Sequence, residues 1–247
     1  MTSVLARYAP LALIAIAWEA APRLGVLDPT ALPPFSTVVL AMGRLVIDPE
    51  LYVHAGASLM REVAGLGLAV FIGVVLGIVM AWYTPVRVLF NPLVRCVYPM
   101  PKSALIPVMI MWLGIGHLSK IGLIFLGCLL PVIVSAYNAA RGVETVLIWS
   151  AQSAGASRSE ILREIILPAS LPEIMAGVRT ALALSFVLLV SSEFLMAREG
   201  LGYLIAFMGE GGIYDAMFAT VLLVSAIGFL ADRAYLALMR RTLAWRE

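Results

Sequence analysis

Trp149–Pro172, WSAQSAGASRSEILREIILPASLP, is the longest interruption in an otherwise very apolar chain. Ser157 and Glu160 stand at the Ser-x-x-Glu spacing of a capping box, in which each side chain satisfies the other residue's backbone donor. Behind that cap Ile161, Leu162, Ile165 and Ile166 fall on one helical face. Arg158, Ser159, Arg163 and Glu164 lie away from it. Pro168 has no backbone donor and restricts Leu167, which predicts that the helix ends there. Gly155, just before the cap, permits a sharp change of direction. These features read as a short amphipathic helix held crosswise between two membrane spans. The plain alternative is a polar loop carrying a chance capping box.

The composition sets the solvent. Of 247 residues, 62% are hydrophobic and 13% charged, with a mean hydropathy of +0.99. Soluble chains carry about 25% charge, so this is an all-α integral membrane protein. At about 20 residues per span the length suits five to seven helices. A net charge of +2 gives no case for nucleic-acid binding. Cys96 and Cys128 have neither metal-site nor disulfide-framework spacing. No Gly-x4-Gly-Lys-Ser/Thr phosphate loop occurs, so any ATP that powers this protein is hydrolysed by another polypeptide.

Six spans are expected. The first runs from about Tyr8 to Leu24, with Arg7 at its inner end and Glu19 near its outer end. Residues 25–58 form an external segment broken by Pro29, Pro33 and Pro34, in which His54 reads as an interfacial residue. Between Glu62 and Arg87 lie 24 uncharged residues. Gly73 and Gly77 within them form a Gly-xxx-Gly pair, which lets another helix approach closely. Arg87, Arg95 and Lys102 read as a cytoplasmic loop before a short third span interrupted by Pro107. A proline there frees backbone groups that need partners, as pathway-lining segments often do. The fourth span is 121–140, and its helix is expected to continue in water through Ala154. The fifth, 174–197, carries Ser185, Ser192 and Glu193; an ionisable residue inside a span is a functional candidate, against the alternative of an interfacial carboxylate. The sixth is 216–239. Ten Lys and Arg residues then fall inside against five outside, counting Arg61 and Lys120 among the five. This bias places both termini and Gly155 in the cytoplasm.

Two motifs carry a family resemblance. Gly155, nine residues, then Ile165-x-Leu167-Pro168 resembles the EAA loop of ABC importer permeases. The pattern's Glu position is Trp149 here, and of its Glu-Ala-Ala only Ala151 matches. Pro101, Ala104, Pro107, Trp112, Gly114 and Gly116 resemble the same family's Pro-x-x-Ala-x-x-Pro and Trp-x-Gly-x-Gly. The Gly200–Ile205 turn and the Leu-x-Trp-Arg tail extend the match over most of the chain from Glu62, closest to the nitrate, sulfonate and taurine branch. The resemblance implies residues 1–58 as an N-terminal helix and loop, and 59–247 as the importer's transmembrane domain.

It also implies a permease of the bacterial inner membrane that forms a path for a small solute. A second copy, two ATP-binding cassette subunits and an extracytoplasmic binding protein would be its partners, alongside membrane lipid. This chain would bind no cofactor; ATP and Mg would sit on the ATPase. Coupling would fall to Ala151, Gly155, Ala156, Ser157, Arg158, Glu160, Ile161, Leu162, Ile165, Leu167 and Pro168, with the three named apolar residues Ile161, Leu162 and Ile165 seated in the ATPase. Pro107, Ser185, Ser192 and Glu193 would line the path. A self-sufficient secondary transporter or channel is the other reading; it calls for midplane charge pairs or repeats.

Overall fold

The computed structural model describes residues 2–246, with side chains from Ala9 to Trp245. The side chains of Arg7 and Arg246, counted above on the cytoplasmic side, lie outside the described residues. Among the described residues there are helices and turns and no strand. Helices α1 (Thr2–Arg23), α2 (Phe35–Ile47) and α3 (Pro49–Trp82) come first. Then follow α4 (Thr84–Val97), α5 (Ile106–Leu113), α6 (His117–Arg141) and α7 (Thr145–Ser153). A continuous stretch combines α8 (Arg158–Glu160), a π-helical turn (Ile161–Ile166) and α9 (Leu167–Met196). Last are α10 (Leu201–Glu210) and α11 (Tyr214–Thr242).

Among the described residues, four helical stretches are long and apolar enough to cross a membrane: Pro49–Trp82, His117–Arg141, Arg158–Met196 and Tyr214–Thr242. A fifth arises if α4 and the stretch Lys102–Leu113 form one broken span, bent by 95°. Pro99 and Pro101 explain the break, since neither donates a backbone hydrogen bond and each restricts its predecessor. The orphaned carbonyls at the end of α4 find a cation instead. Lys102 Nζ donates to the carbonyls of Val97, Tyr98 and Met100 at 3.0, 2.9 and 2.8 Å. The expected loop at 87–102 is therefore largely helix, folded back on the next segment. The external segment also differs: α2 and the first turns of α3 occupy much of residues 35–58.

The chain forms two compact units. In the unit of Met1–Ala57 and Glu193–Ile227, α1 and α2 are tied by side chains. Glu19 accepts from the N–H and the hydroxyl of Ser36 at 2.8 and 2.9 Å and pairs with Arg23 at 2.6 Å. The Trp18 indole donates to the Pro33 carbonyl at 3.0 Å and rests on Phe35 and Phe218. Leu51, Leu201 and Leu204 form a separate buried cluster.

The unit of Ser58–Ser192 and Gly228–Glu247 holds the main core, built on α6. The small residues Gly65, Ala69, Gly73 and Gly77 recur every four positions along one face of α3, so they line up as a groove. A Cβ at Gly65 would meet Ile124, at Gly73 Val132, and at Gly77 the Ile133 carbonyl at 2.6 Å. Glycine at these points lets the α3 and α6 backbones approach. The close contact expected from the Gly-xxx-Gly pair is thus made with α6. On the other flank, Cys128 Sγ lies 3.5 Å from the Ala181 carbonyl and Ser135 donates to the Glu173 carbonyl, joining α6 to α9.

Candidate functional site

The polar stretch folds as two helix caps placed back to back. Helix α6 does not continue through Ala154 as expected: it stops at Arg141 with Gly142 as its cap, and α7 starts afresh at Thr145. The end of α7 is a Schellman motif. The Ala156 N–H bonds the Ala151 carbonyl and the Gly155 N–H bonds the Gln152 carbonyl, both at 3.0 Å. Gly155 takes the left-handed position, φ +85°. One residue later Ser157 begins the next helix with a full capping box. The Glu160 N–H donates to Ser157 Oγ at 3.3 Å, and the Ser157 N–H donates to Glu160 Oε2 at 2.6 Å. Five of the expected coupling residues thus define one elbow: Ala151, Gly155, Ala156, Ser157 and Glu160.

The second half of the site departs from expectation. The helix does not end at Pro168 but runs on into α9. Widening to a π-helical turn over Ile161–Ile166 permits this. The Leu167 N–H reaches back five residues to the Leu162 carbonyl, and Pro168 falls in the first turn of the following α-helix, where its missing donor is tolerated. The segment is therefore the start of a span rather than a separate crosswise helix. Its apolar face also points inward. Ile161 is 1% exposed and belongs to the chain's own core, with Ile166 beside it and Leu162, Ile165 and Leu167 packed against that core. Ile161 therefore seats in the chain's own core and not in another protein, while Leu162 and Ile165 are half-buried against that core.

What the elbow does present is different. Arg158, Ser159, Glu160, Arg163 and Glu164 are exposed around the cap. On α7, Val146 and Trp149 are 64% and 63% exposed, with Leu147 also outward, while Ile148 packs on the core. Val146 and Leu147 were missed in the sequence, where α7 read as a continuation of the preceding span. Gly142 ahead of a fresh run of apolar residues was the available signal.

The other candidates are scattered. Pro107 is exposed, near the start of α5. Ser185 is buried, and its hydroxyl lies against a Glu62 carboxylate oxygen from α3 and 2.7 Å from the Leu182 carbonyl. Ser192 is buried on the Leu189 carbonyl at 2.8 Å. Glu193 is 0% exposed and accepts from the Gly202 N–H at 3.0 Å, so its carboxylate caps the N-terminus of α10. Gly200, φ +121°, passes so close that a Cβ there would stand 2.4 Å from the Glu193 carboxyl carbon. His54, expected at the interface, is buried and accepts from the Gly200 N–H at 3.0 Å. Ser185, Ser192 and Glu193 thus have their polar atoms turned into the fold, and the direct lining of a path by them is corrected; of the four, Pro107 faces outward. Arg61, Glu62 and Lys120 were read as span boundaries or loop charges and are buried too. Arg61 donates to His117 Nδ1 at 3.1 Å, and Lys120 donates to the Ile115 carbonyl.

Comparison with known proteins places this arrangement among others. The sequence profile of the binding-protein-dependent transport system inner membrane component family matches residues 73–244. The chain is 36% identical over 240 residues to the taurine transport system permease protein TauC of Escherichia coli K12, covering 95% of this chain and 87% of that one. It is 31% identical over 238 residues to the putative aliphatic sulfonates transport permease protein SsuC of Bacillus subtilis 168, covering 96% and 86%. In structure it is similar to a chain of the inward-facing MetNI methionine ABC transporter. That likeness has a TM-score of 0.65 at 19% identity and covers 78% of this chain and 98% of that one.

Proposed function

This chain belongs to the family of binding-protein-dependent transport system inner membrane components, and from that membership we propose that it carries a small organic sulfonate into the cell. It is a membrane-spanning ABC importer permease. The solute assignment rests on the two relatives named for taurine and aliphatic sulfonates. A homodimer would enclose the path, fed by an extracytoplasmic binding protein. ATP hydrolysis, with its Mg, would reside in two separate cassette subunits. Both termini and the elbow at Gly155 would face the cytoplasm of an inner membrane.

The observation that carries the coupling role is the elbow itself: a doubly capped turn, rigid by hydrogen bonding, flanked by the outward Val146, Leu147 and Trp149. An exposed apolar cluster rimmed by charge is a surface for a partner protein. Trp149 there replaces the glutamate of the family pattern with an apolar anchor. Because α8, the π-helical turn and α9 are one continuous helix, movement imposed on the elbow passes into a span as a lever. ATP-driven closure of the partner dimer would rock these spans and expose the path to the other side. Pro107, outward on the short α5, is the proposed path-lining residue among the four.

The test is reconstitution. The chain is placed in proteoliposomes with its cognate ATPase and binding protein, and labelled taurine or an alkanesulfonate is offered. Accumulation should require Mg-ATP and binding protein together. Accumulation by this chain without the ATPase would overturn the importer reading. Active transport of a different solute would retire only the sulfonate assignment.

A further inference from the structure

A cavity of about 380 Å³ opens between the C-terminal end of α3, α4, the bend after α4, and α6, all within the second unit. That is a size typical of small-ligand sites. Its floor is apolar: Met80, Val94 and Ile133 are buried there and form their own cluster. Its rim is polar, with Asn91 and Asn138 on facing helices and the rings of Tyr98 and Tyr137 beside them. Arg95 is the one charged residue that lines it. Among the described residues no carboxylate pairs with that guanidinium.

An unneutralised guanidinium above a buried apolar floor selects an anionic head joined to an apolar tail. Amide groups at the rim add donors for the head's oxygens. We propose that this cavity binds an anionic phospholipid, its phosphate on Arg95 and the first part of an acyl chain against Met80 and Ile133. Two observations favour lipid over a free organic anion. Arg95 stands with Arg87 and Lys102 in the segment that the charge bias assigns to the cytoplasmic interface, where anionic lipid concentrates. The cavity is also not enclosed, so a tail longer than the floor can extend out of it. A lipid seated there braces α4 against α6 beside the 95° bend.

Native mass spectrometry of the purified full chain tests this, titrating phosphatidylglycerol against phosphatidylcholine. The wild type should retain phosphatidylglycerol preferentially. Arg95→Gln should reduce that preference on the order of fivefold, the effect of one basic residue at a membrane surface. Arg95→Lys should keep part of it. Arg95 is exposed, with no ion pair or hydrogen bond of its side chain among the described residues, and unchanged helicity of the Gln variant checks that the fold is kept. Ile133→Trp, which fills the floor, should weaken retention of both lipids. Equal retention of phosphatidylglycerol by wild type and Arg95→Gln overturns the proposal. So does Arg95-dependent binding of octanesulfonate in lipid-free micelles with no preference between the two lipids; the cavity then serves a free organic anion.

Discussion

Gly155 is constrained by its backbone angle and not by crowding, since no atom lies within 4 Å of where its Cβ would stand. A left-handed φ costs a residue with a Cβ about 1–2 kcal/mol. Gly155→Ala should therefore lower affinity for the ATPase roughly 5- to 30-fold if the elbow must be held for docking, read by copurification or a binding titration; unaltered binding would detach the elbow from coupling. Glu160→Ala removes the acceptor of the Ser157 N–H. It should lose hydrogen-exchange protection at the Ser157 and Glu160 amides relative to wild type, and unchanged protection would show that the capping box does not hold the elbow. Glu193 separates size from charge. Glu193→Gln keeps an acceptor for the Gly202 N–H, whereas Glu193→Leu leaves that donor without it. The Leu variant should lose more stability and uptake than the Gln variant; equal losses would point to the charge itself.

Among elements, the α3–α6 contact and the α7 surface make opposite demands. Gly77→Ala drives a Cβ to within 2.6 Å of the Ile133 carbonyl, whereas at Gly67 nothing lies within 4 Å. The first substitution should destabilise by about 1–3 kcal/mol through overpacking. The second should be neutral or slightly stabilising, and thermal unfolding in detergent compares them directly. On the elbow, Ile161→Ala should cost about 2–5 kcal/mol, because it opens a hole in the core. Trp149→Ala should change stability by less than about 0.5 kcal/mol and instead weaken ATPase binding. If Ile161→Ala were stable and selectively uncoupled, the assignment of the two faces would be reversed.

At the scale of the whole molecule, the charge bias and the continuous Arg158–Met196 helix make one topological prediction. Single cysteines at Ser36 and Arg198 should react with an impermeant maleimide in sealed cells, and those at Ser159 and Arg241 should not. Outside labelling at Ser159 would remove the elbow from the ATPase's reach. The same view bears on the span count. Among the described residues four helices are long and apolar enough to cross, five with the bent pair, beside the six spans expected. The 22-residue α1 is a further helix, not among those four.

By itself the sequence determined the solvent, the helical class, the family and the local chemistry of the elbow. Each of these rests on composition or on neighbours a few residues apart: an apolar run must be helical in lipid, and a capping box closes within four positions. The Gly-xxx-Gly pair in α3 likewise announced a close contact, though not its partner. Tertiary structure alone decided which way amphipathic faces and charges turn. The stripe at Ile161 reads the same whether it covers a partner or the chain's own core, and its burial in that core settled it for Ile161. Glu193 reads the same whether it meets a solute or a helix terminus, and the turn at Gly200, seven residues on, brought the terminus to it. Pro168 reads as a stop, and the π-helical turn, a backbone adjustment with no residue signature, carried the helix past it.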